Sequence, residues 1–356
     1  MKNLTKLFLL VGVIISVFSC GKSEETYVGA LLPLTGNAAY IGQSIKNGLE
    51  LANELSGSKI KLIVEDTQGI PKNSISAFNK LKSQYGMNIF IPALSSTTNA
   101  ILPISTNSND LLFATCVSSA NITRKSKNLF RLFVNANADA KVMLNYAVDS
   151  LKMQKFYVLY VDDDFGQDYF NTFHSEAIKR GAIISGSDSY SRSEMNFRDI
   201  LIKLRNQDQE YDAVYILGYD NNLGVLIKQY SEMEIKKPIL SIATVSQPAV
   251  TQILNLQNNK IIPPIYYTNT TLLVNDNNTL KEEFLNEYKQ KYAKEPNYFS
   301  AFAFDLMNIL IATLDNTDVS NAKNYMVTNP FSGVMGKINF DETGDANFKM
   351  IIEKLN

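Results

Sequence analysis

The sequence predicts an α/β protein built from two doubly wound parallel sheets in tandem. Three observations lead there. Short apolar runs of strand length alternate with stretches whose apolar residues recur at helical spacing. That alternation stops at a polar stretch from Asn135 to Asp139 and then starts again. The chain, at 356 residues, is too long for one typical domain and suits two, and 45% hydrophobic residues supply apolar side chain for two cores.

In the first unit, Tyr27 to Leu32 reads as a buried strand and Pro33 to Asn37 as a turn. Ile41, Ile45, Leu49, Ala52 and Leu55 then make one apolar helix face. Lys59 to Val64 is a second strand, Ile75, Phe78 and Leu81 mark a second helix, and Asn88 to Ala93 is a third strand followed by a hydroxyl-rich turn. Leu111 to Thr115 and Leu129 to Val134 complete the unit. In the second, strands at 156–161, 182–187, 213–217 and 238–242 alternate with helices at 170–180, 197–205 and 223–233. A helix from Leu280 to Tyr292 and an apolar one from Tyr298 to Leu314 follow. Strands separated by helices argue parallel pairing with both faces covered.

Composition removes several function classes. The net charge is −1, with no basic run and no aromatic-basic stripe, so no nucleic-acid partner is expected. His174 is the one histidine, which excludes a multi-histidine metal site and leaves a Ser-His-Asp system without an obvious base. No cofactor and no catalytic residue are expected. His174 itself reads as a surface residue on a helix.

Lys2 and Lys6 precede an apolar run from Leu7 to Phe18, too short to span a bilayer and shaped like a secretory signal. It ends in Val17-Phe18-Ser19-Cys20-Gly21, which resembles a bacterial lipobox, although Phe18 stands where a small residue is preferred. The expectation is a signal peptide over 1–19, acylation of Cys20 and a polar tether over 20–25; the alternative is a plain signal peptide with an incidental cysteine. With Cys20 acylated, Cys116 has no disulfide partner and reads as a small buried residue.

Tyr27 to Gly36, with Gly42 and Asn47-Gly48, is similar to the opening of the leucine/isoleucine/valine-type periplasmic binding proteins, the type I solute-binding proteins of ABC importers. Four further stretches agree in order: Leu94 to Thr98, Val161 to Gly166, Asn196 to Ile200, and Phe331 to Gly333 with Gly336 to Asp345. The resemblance runs from Thr26 to the end. It implies two Rossmann-like domains joined by three hinge crossovers, near Asn135, Asn269 and Pro330, with the ligand cleft between them. The implied domains are 26–134 plus 270–329, and 135–269 plus 330–356.

The resemblance also places a site. Ser96 and Thr97, with the free N–H groups of a helix start, suit an anion such as a carboxylate; a helix cap is the other reading of the same hydroxyls. Val117, Ser118 and Ser119 form a second lip, where the family uses backbone groups and a hydroxyl. Phe165 and Tyr219 match aromatics that cover the ligand, unless they only pack beneath the loops. Ile41 stands at another aromatic position, with Tyr40 as its neighbour. Amino-acid binders of the family place an acid after the strand that here ends Ser241-Ile242-Ala243-Thr244, and this chain has none there. Asp163, Asp164 or Asp220 could supply the charge from nearby loops, or could be exposed loop acids. The family's disulfide in the first domain also has no counterpart.

The function expected on this resemblance is capture of a small polar solute, an amino acid or a related amide or carboxylate, by hinged closure. A monomer would present it to an ABC permease and its ATPase from the outer side of a membrane, held there by the lipid anchor. The alternative is a ligand-sensing or cell-wall-synthase-regulating lipoprotein on the same fold. An enzyme would need a base with an arranged nucleophile, and the sequence offers neither.

Overall fold

The computed structural model describes residues 26–255, 262–270 and 279–355. The expected signal peptide, the tether and Cys20 lie outside the described residues.

The first lobe follows the predicted alternation. It contains β1 (Thr26–Leu32), α1 (Ala39–Leu55), β2 (Ile60–Asp66), α2 (Pro71–Tyr85), β3 (Ile89–Pro92), α3 (Ser95–Asn107), β4 (Leu111–Ala114) and β5 (Leu129–Arg131). The strands pair in parallel in the order β2-β1-β3-β4-β5. The short central strands are wholly buried, as a sheet covered on both faces requires.

The second lobe opens with α4 (Ala136–Asn145) and continues through β6 (Lys155–Val161), α5 (Asp164–Lys179), β7 (Ile183–Tyr190), α6 (Arg198–Asn206), β8 (Ala213–Leu217), α7 (Asp220–Glu232), β9 (Ile239–Ile242), α8 (Pro248–Asn255) and β10 (Ile265–Thr270). The chain then returns to the first lobe through α9 (Thr279–Tyr292), α10 (Tyr298–Asn316) and α11 (Ala322–Thr328). A hairpin, β11 (Phe331–Gly333) and β12 (Gly336–Ile338), precedes a last strand, β13 (Met350–Leu355). The second sheet has the order β13-β10-β9-β8-β6-β7, parallel except for β13, which runs antiparallel to β10.

Among the elements not read from the sequence, two were hidden for a local reason. The polar stretch at Asn135 looks like a linker, yet Asn135 is the N-cap of α4, its side chain accepting from the Ala138 N–H at 2.9 Å. Ile265 to Thr270 follows Pro263-Pro264 and reads as loop, yet it is an inner strand.

α10 is long and apolar enough to cross a membrane by length and composition, but it is the core helix of the first lobe, largely buried against α1. The two helices touch where Gly48 faces Ser300: a Cβ at Gly48 would stand 2.2 Å from the Ser300 carbonyl oxygen. Asp305 of α10 accepts from the N–H groups of Val334 (2.8 Å) and Met335 (2.9 Å), and Gly333 leaves room for its carboxylate. Asp345 pairs with the buried Arg131 beside β5. The hairpin and the residues up to Ala346 therefore stay with the first lobe. The third passage between lobes falls between Ala346 and β13, later than the expected crossover near Pro330.

Candidate ligand-binding cleft

The carboxyl ends of both sheets meet across a narrow cleft with about 680 Å³ of empty space, its mouth included. That is the place expected for a ligand on doubly wound sheets.

On the first-lobe side, β3 runs into α3 through Leu94, whose backbone is held at φ 71° and ψ 142°. This is a region that costs a leucine energy and that tends to mark functional turns. The strain aims the start of α3 at the cleft. That start has no side-chain cap, and the first N–H to bond back is that of Thr98, to the Leu94 carbonyl at 3.0 Å. Ser95 and Ser96 border the cleft, and the N–H groups ahead of Thr98 with their hydroxyls are an arrangement that suits an anion. After β4, Cys116 adopts φ 53° and Ser118 follows it into the cleft wall. Burial pushes the Cys116 thiol well above its ordinary pKa, so it stays protonated. Apolar cover comes from Ile41 and from Phe133, stacked on Tyr298 with ring centroids 5.8 Å apart.

The second-lobe side is charged. Asp163 caps α5 by accepting from the Gly166 N–H at 3.0 Å, and it accepts the Tyr219 hydroxyl at 2.5 Å. Arg192, in the loop after β7, brings its Nε to 3.6 Å from Asp163 and lays its guanidinium over the Tyr219 ring at 5.4 Å. Phe165 meets Tyr219 edge-on at 5.5 Å. Burial pushes the Asp163 carboxyl up, and the Tyr219 hydroxyl, the Gly166 N–H and the Arg192 charge oppose it. Asp220, at φ 58°, has an Oδ2 without a hydrogen-bond partner among the described residues. Burial pushes its carboxyl up to about 7, against the pull of Arg192.

Four hydrogen bonds close the mouth. Asn37 donates to the Arg192 carbonyl (3.2 Å), Arg192 Nη1 to the Gly69 carbonyl (3.2 Å), Asn99 to Asp164 (2.8 Å) and Ser119 to Asp168.

Of the residues expected from the sequence, Ser96, Ser118, Phe165, Tyr219 and Thr244 line the cleft. Thr244 also donates to the Gly218 carbonyl at 2.7 Å. Tyr40, Thr97, Val117 and Ser119 do not line it. Helix geometry turns Ile41 inward in place of Tyr40, whose hydroxyl accepts from Asn297 at 2.7 Å. Thr97 is fully buried and its hydroxyl bonds back to the carbonyls of Ala93 and Leu94. The Val117 carbonyl accepts from Arg131 at 3.2 Å, and Ser119 belongs to the mouth. Neither Asp163 nor Asp220 is an exposed loop acid; Asp164 is exposed.

Sequence reasoning missed Arg192, Asp139 and Thr268. Arg192 lies in a loop without periodicity, and the other two belong to the unseen α4 and β10.

The sequence profile of the periplasmic binding protein family matches residues 25–356. The chain belongs to this family. Among relatives of the Leu/Ile/Val-binding type, it is 26% identical over 234 residues to Leu/Ile/Val-binding protein homolog 3 of Brucella melitensis. That alignment spans 63% of this chain and 62% of the relative. It is 25% identical over 348 residues to homolog 2 of Brucella abortus, spanning 90% of this chain and 87% of that one. The fold superimposes on a leucine-binding protein of Thermotoga maritima with a TM-score of 0.84 at 20% identity, covering 93% and 95% of the two chains. It also superimposes on an ABC-transporter solute-binding protein of Rhodopseudomonas palustris in complex with 3,4-dihydroxybenzoic acid, with a TM-score of 0.79 at 19% identity, covering 93% of each.

Proposed function

We propose that this chain captures a small organic solute with a carboxylate or similar polar head, by closure of its two lobes, and presents it to an ABC permease and its ATPase. The observation that carries the reading is the pairing of opposite faces: an uncapped helix start with serine hydroxyls on one lobe, and carboxylates with one arginine on the other. Closure over a ligand excludes water and strengthens both sets of contacts. The relatives' ligands, leucine in one case and a hydroxylated benzoate in another, share the carboxylate that the α3 end suits. The lipobox-like end at Cys20 supports anchoring of the chain to a membrane by acyl groups, from which it would meet the permease as a monomer.

Isothermal titration of the purified full-length chain against amino acids, short carboxylates and their amides tests the reading. Carboxylates are expected to bind one per chain, and Ser96→Ala to weaken them about tenfold, the worth of one charge-assisted hydrogen bond. Equal affinity for an acid and its amide would overturn the carboxylate assignment. Cys20→Ser is expected to move the chain from the membrane fraction to the soluble fraction.

A further inference from the structure

The hinge side of the cleft holds a polar cluster that neither lobe's face explains. Asp139 of α4 is 4% exposed and borders the cleft. Its Oδ2 accepts the Tyr169 hydroxyl at 2.5 Å, but its Oδ1 has no hydrogen-bond partner among the described residues. Thr268 and Thr270 also border the cleft, 0% and 4% exposed, and their hydroxyls likewise have no partner among the described residues. The two threonines are two residues apart on β10, so both hydroxyls leave the same face of the strand. The Thr268 hydroxyl lies near enough to Asp139 to lower its carboxyl pKa, but outside hydrogen-bond geometry, so its lone pairs stay free to accept.

Buried polar atoms without partners are few in folded proteins, because each keeps an uncompensated loss of hydration. Here four of them border one cavity: the Ser95 hydroxyl on the first-lobe side, and Asp139, Thr268 and Thr270 together on the hinge side. The chemistry of the hinge-side three is specific: one oxygen is anionic and only accepts, and the two hydroxyls are free to accept. A group that offers three donors, needs no acceptor and carries positive charge is an ammonium. An amide nitrogen offers two donors and a hydroxyl one. The cationic side chain that borders the cleft, Arg192, is engaged at the mouth with Asp163 and Gly69 and leaves Asp139 unpaired.

We propose that Asp139, Thr268 and Thr270 form a subsite for a cationic nitrogen of the solute, on the hinge side of the cleft. The inference rests on the cleft being the solute site. It supplies the counter-charge from α4, a different place from the Ser241 to Thr244 segment that lacks an acid. The ionised form of Asp139 is the one that binds. Burial pushes its carboxyl up to about 6, against the Tyr169 and Thr268 hydroxyls. The titratable groups that face it are the phenols of Tyr169 on α5, Tyr215 on β8 and Tyr298 on α10, all with pKa values well above 10, so none of them changes charge in this range.

The test is a titration of the full-length chain with matched pairs that differ only in the amine: L-leucine against 4-methylpentanoate, L-phenylalanine against 3-phenylpropanoate. The amine member of at least one pair is expected to bind about 30-fold more tightly, the range of a hydrogen-bonded charge pair. Asp139→Asn keeps an acceptor for Tyr169 and is expected to erase that advantage without changing affinity for the deaminated partner. Thr268→Val, a smaller change that guards against misfolding of the first variant, is expected to reduce it about fivefold. Equal binding of both members of every pair overturns the subsite alone, as does loss of the amine preference in Asp220→Asn with Asp139→Asn unaffected. Binding by no member of any pair overturns the solute reading of the cleft and this inference with it.

Discussion

The two faces of the cleft present different chemistry to whatever enters it. The first lobe offers fixed dipoles: the bare start of α3, the Ser95 and Ser96 hydroxyls and Ser118, with no charged side chain on the cleft wall. Its nearby charge, Arg131, is turned inward, where it pairs with Asp345 and donates to the carbonyls of Val117 and Ser119. The second lobe offers full charges, with Asp163 and Arg192 on the wall and Asp220 beside them. Dipoles on a rigid helix cost little to desolvate and bind an anion without a counter-ion to displace. Charges on loops are costly to bury unless each finds a partner, so that face is complete only when the ligand or the other lobe arrives.

Replacing the inward charge should have the largest effect. Arg131→Met leaves Asp345 and two carbonyls of the lip without their donor, and is expected to cost roughly 3–5 kcal/mol of stability in urea unfolding. Next is a charge placed on the neutral face. Ser96→Asp suits a helix start, so the melting temperature of the free chain should hold or rise, while affinity for a carboxylate falls about 100-fold in titration. A neutral result there would mean the anion does not sit on α3. Arg192→Met removes the cation from the charged face and one mouth bond, and is expected to weaken binding about tenfold and enlarge the radius of gyration of the free chain in small-angle scattering.

The charged face should also show in pH dependence. Burial raises the carboxyls of Asp139 (to about 6), Asp220 (to about 7) and, in the first lobe, Asp305 (to about 7) above the ordinary 3.8. Between pH 4 and 7 the folded chain thus holds protons that the unfolded chain has lost. Its stability is full below about pH 4 from these groups and falls as pH rises to 7. Thermal melts of the free chain should show this decline, and Asp139→Asn with Asp220→Asn should remove the cleft's share and leave that of Asp305. The smallest effect belongs to Asn99→Ala, which loses one exposed bond to Asp164 and should change affinity no more than about threefold.

Much of this asymmetry was legible in the sequence, and what was not has physical causes. The neutral face was readable because a hydroxyl-rich turn after a buried run announces a strand feeding a helix. The segment from Val161 to Gly166 was placed only by its resemblance to the periplasmic binding proteins. Within the neutral face, the choice between Tyr40 and Ile41 was not, because neighbouring positions on a helix point about 100° apart and sequence does not fix which of them faces the cleft. Arg192 acts through a loop reaching across to the other lobe, and no periodicity marks it. Asp139 was hidden because a polar stretch that ends one unit and a polar stretch that caps the next helix look alike. Asp220 was visible as an acid, but its φ of 58° and the burial that follows depend on the whole lobe.

The mouth bonds have a consequence for unloading. Asn37 with Arg192 and Asn99 with Asp164 are exposed pairs, and each can be exchanged for water at a cost of about 1 kcal/mol. The other two mouth bonds, Arg192 to Gly69 and Ser119 to Asp168, are partly buried, so the rim has two weak clasps and two better shielded ones. If the lobes open as proposed, a permease acting at the rim would have to replace four hydrogen bonds and no core contact, and the dwell time of the cargo would be set at the lips.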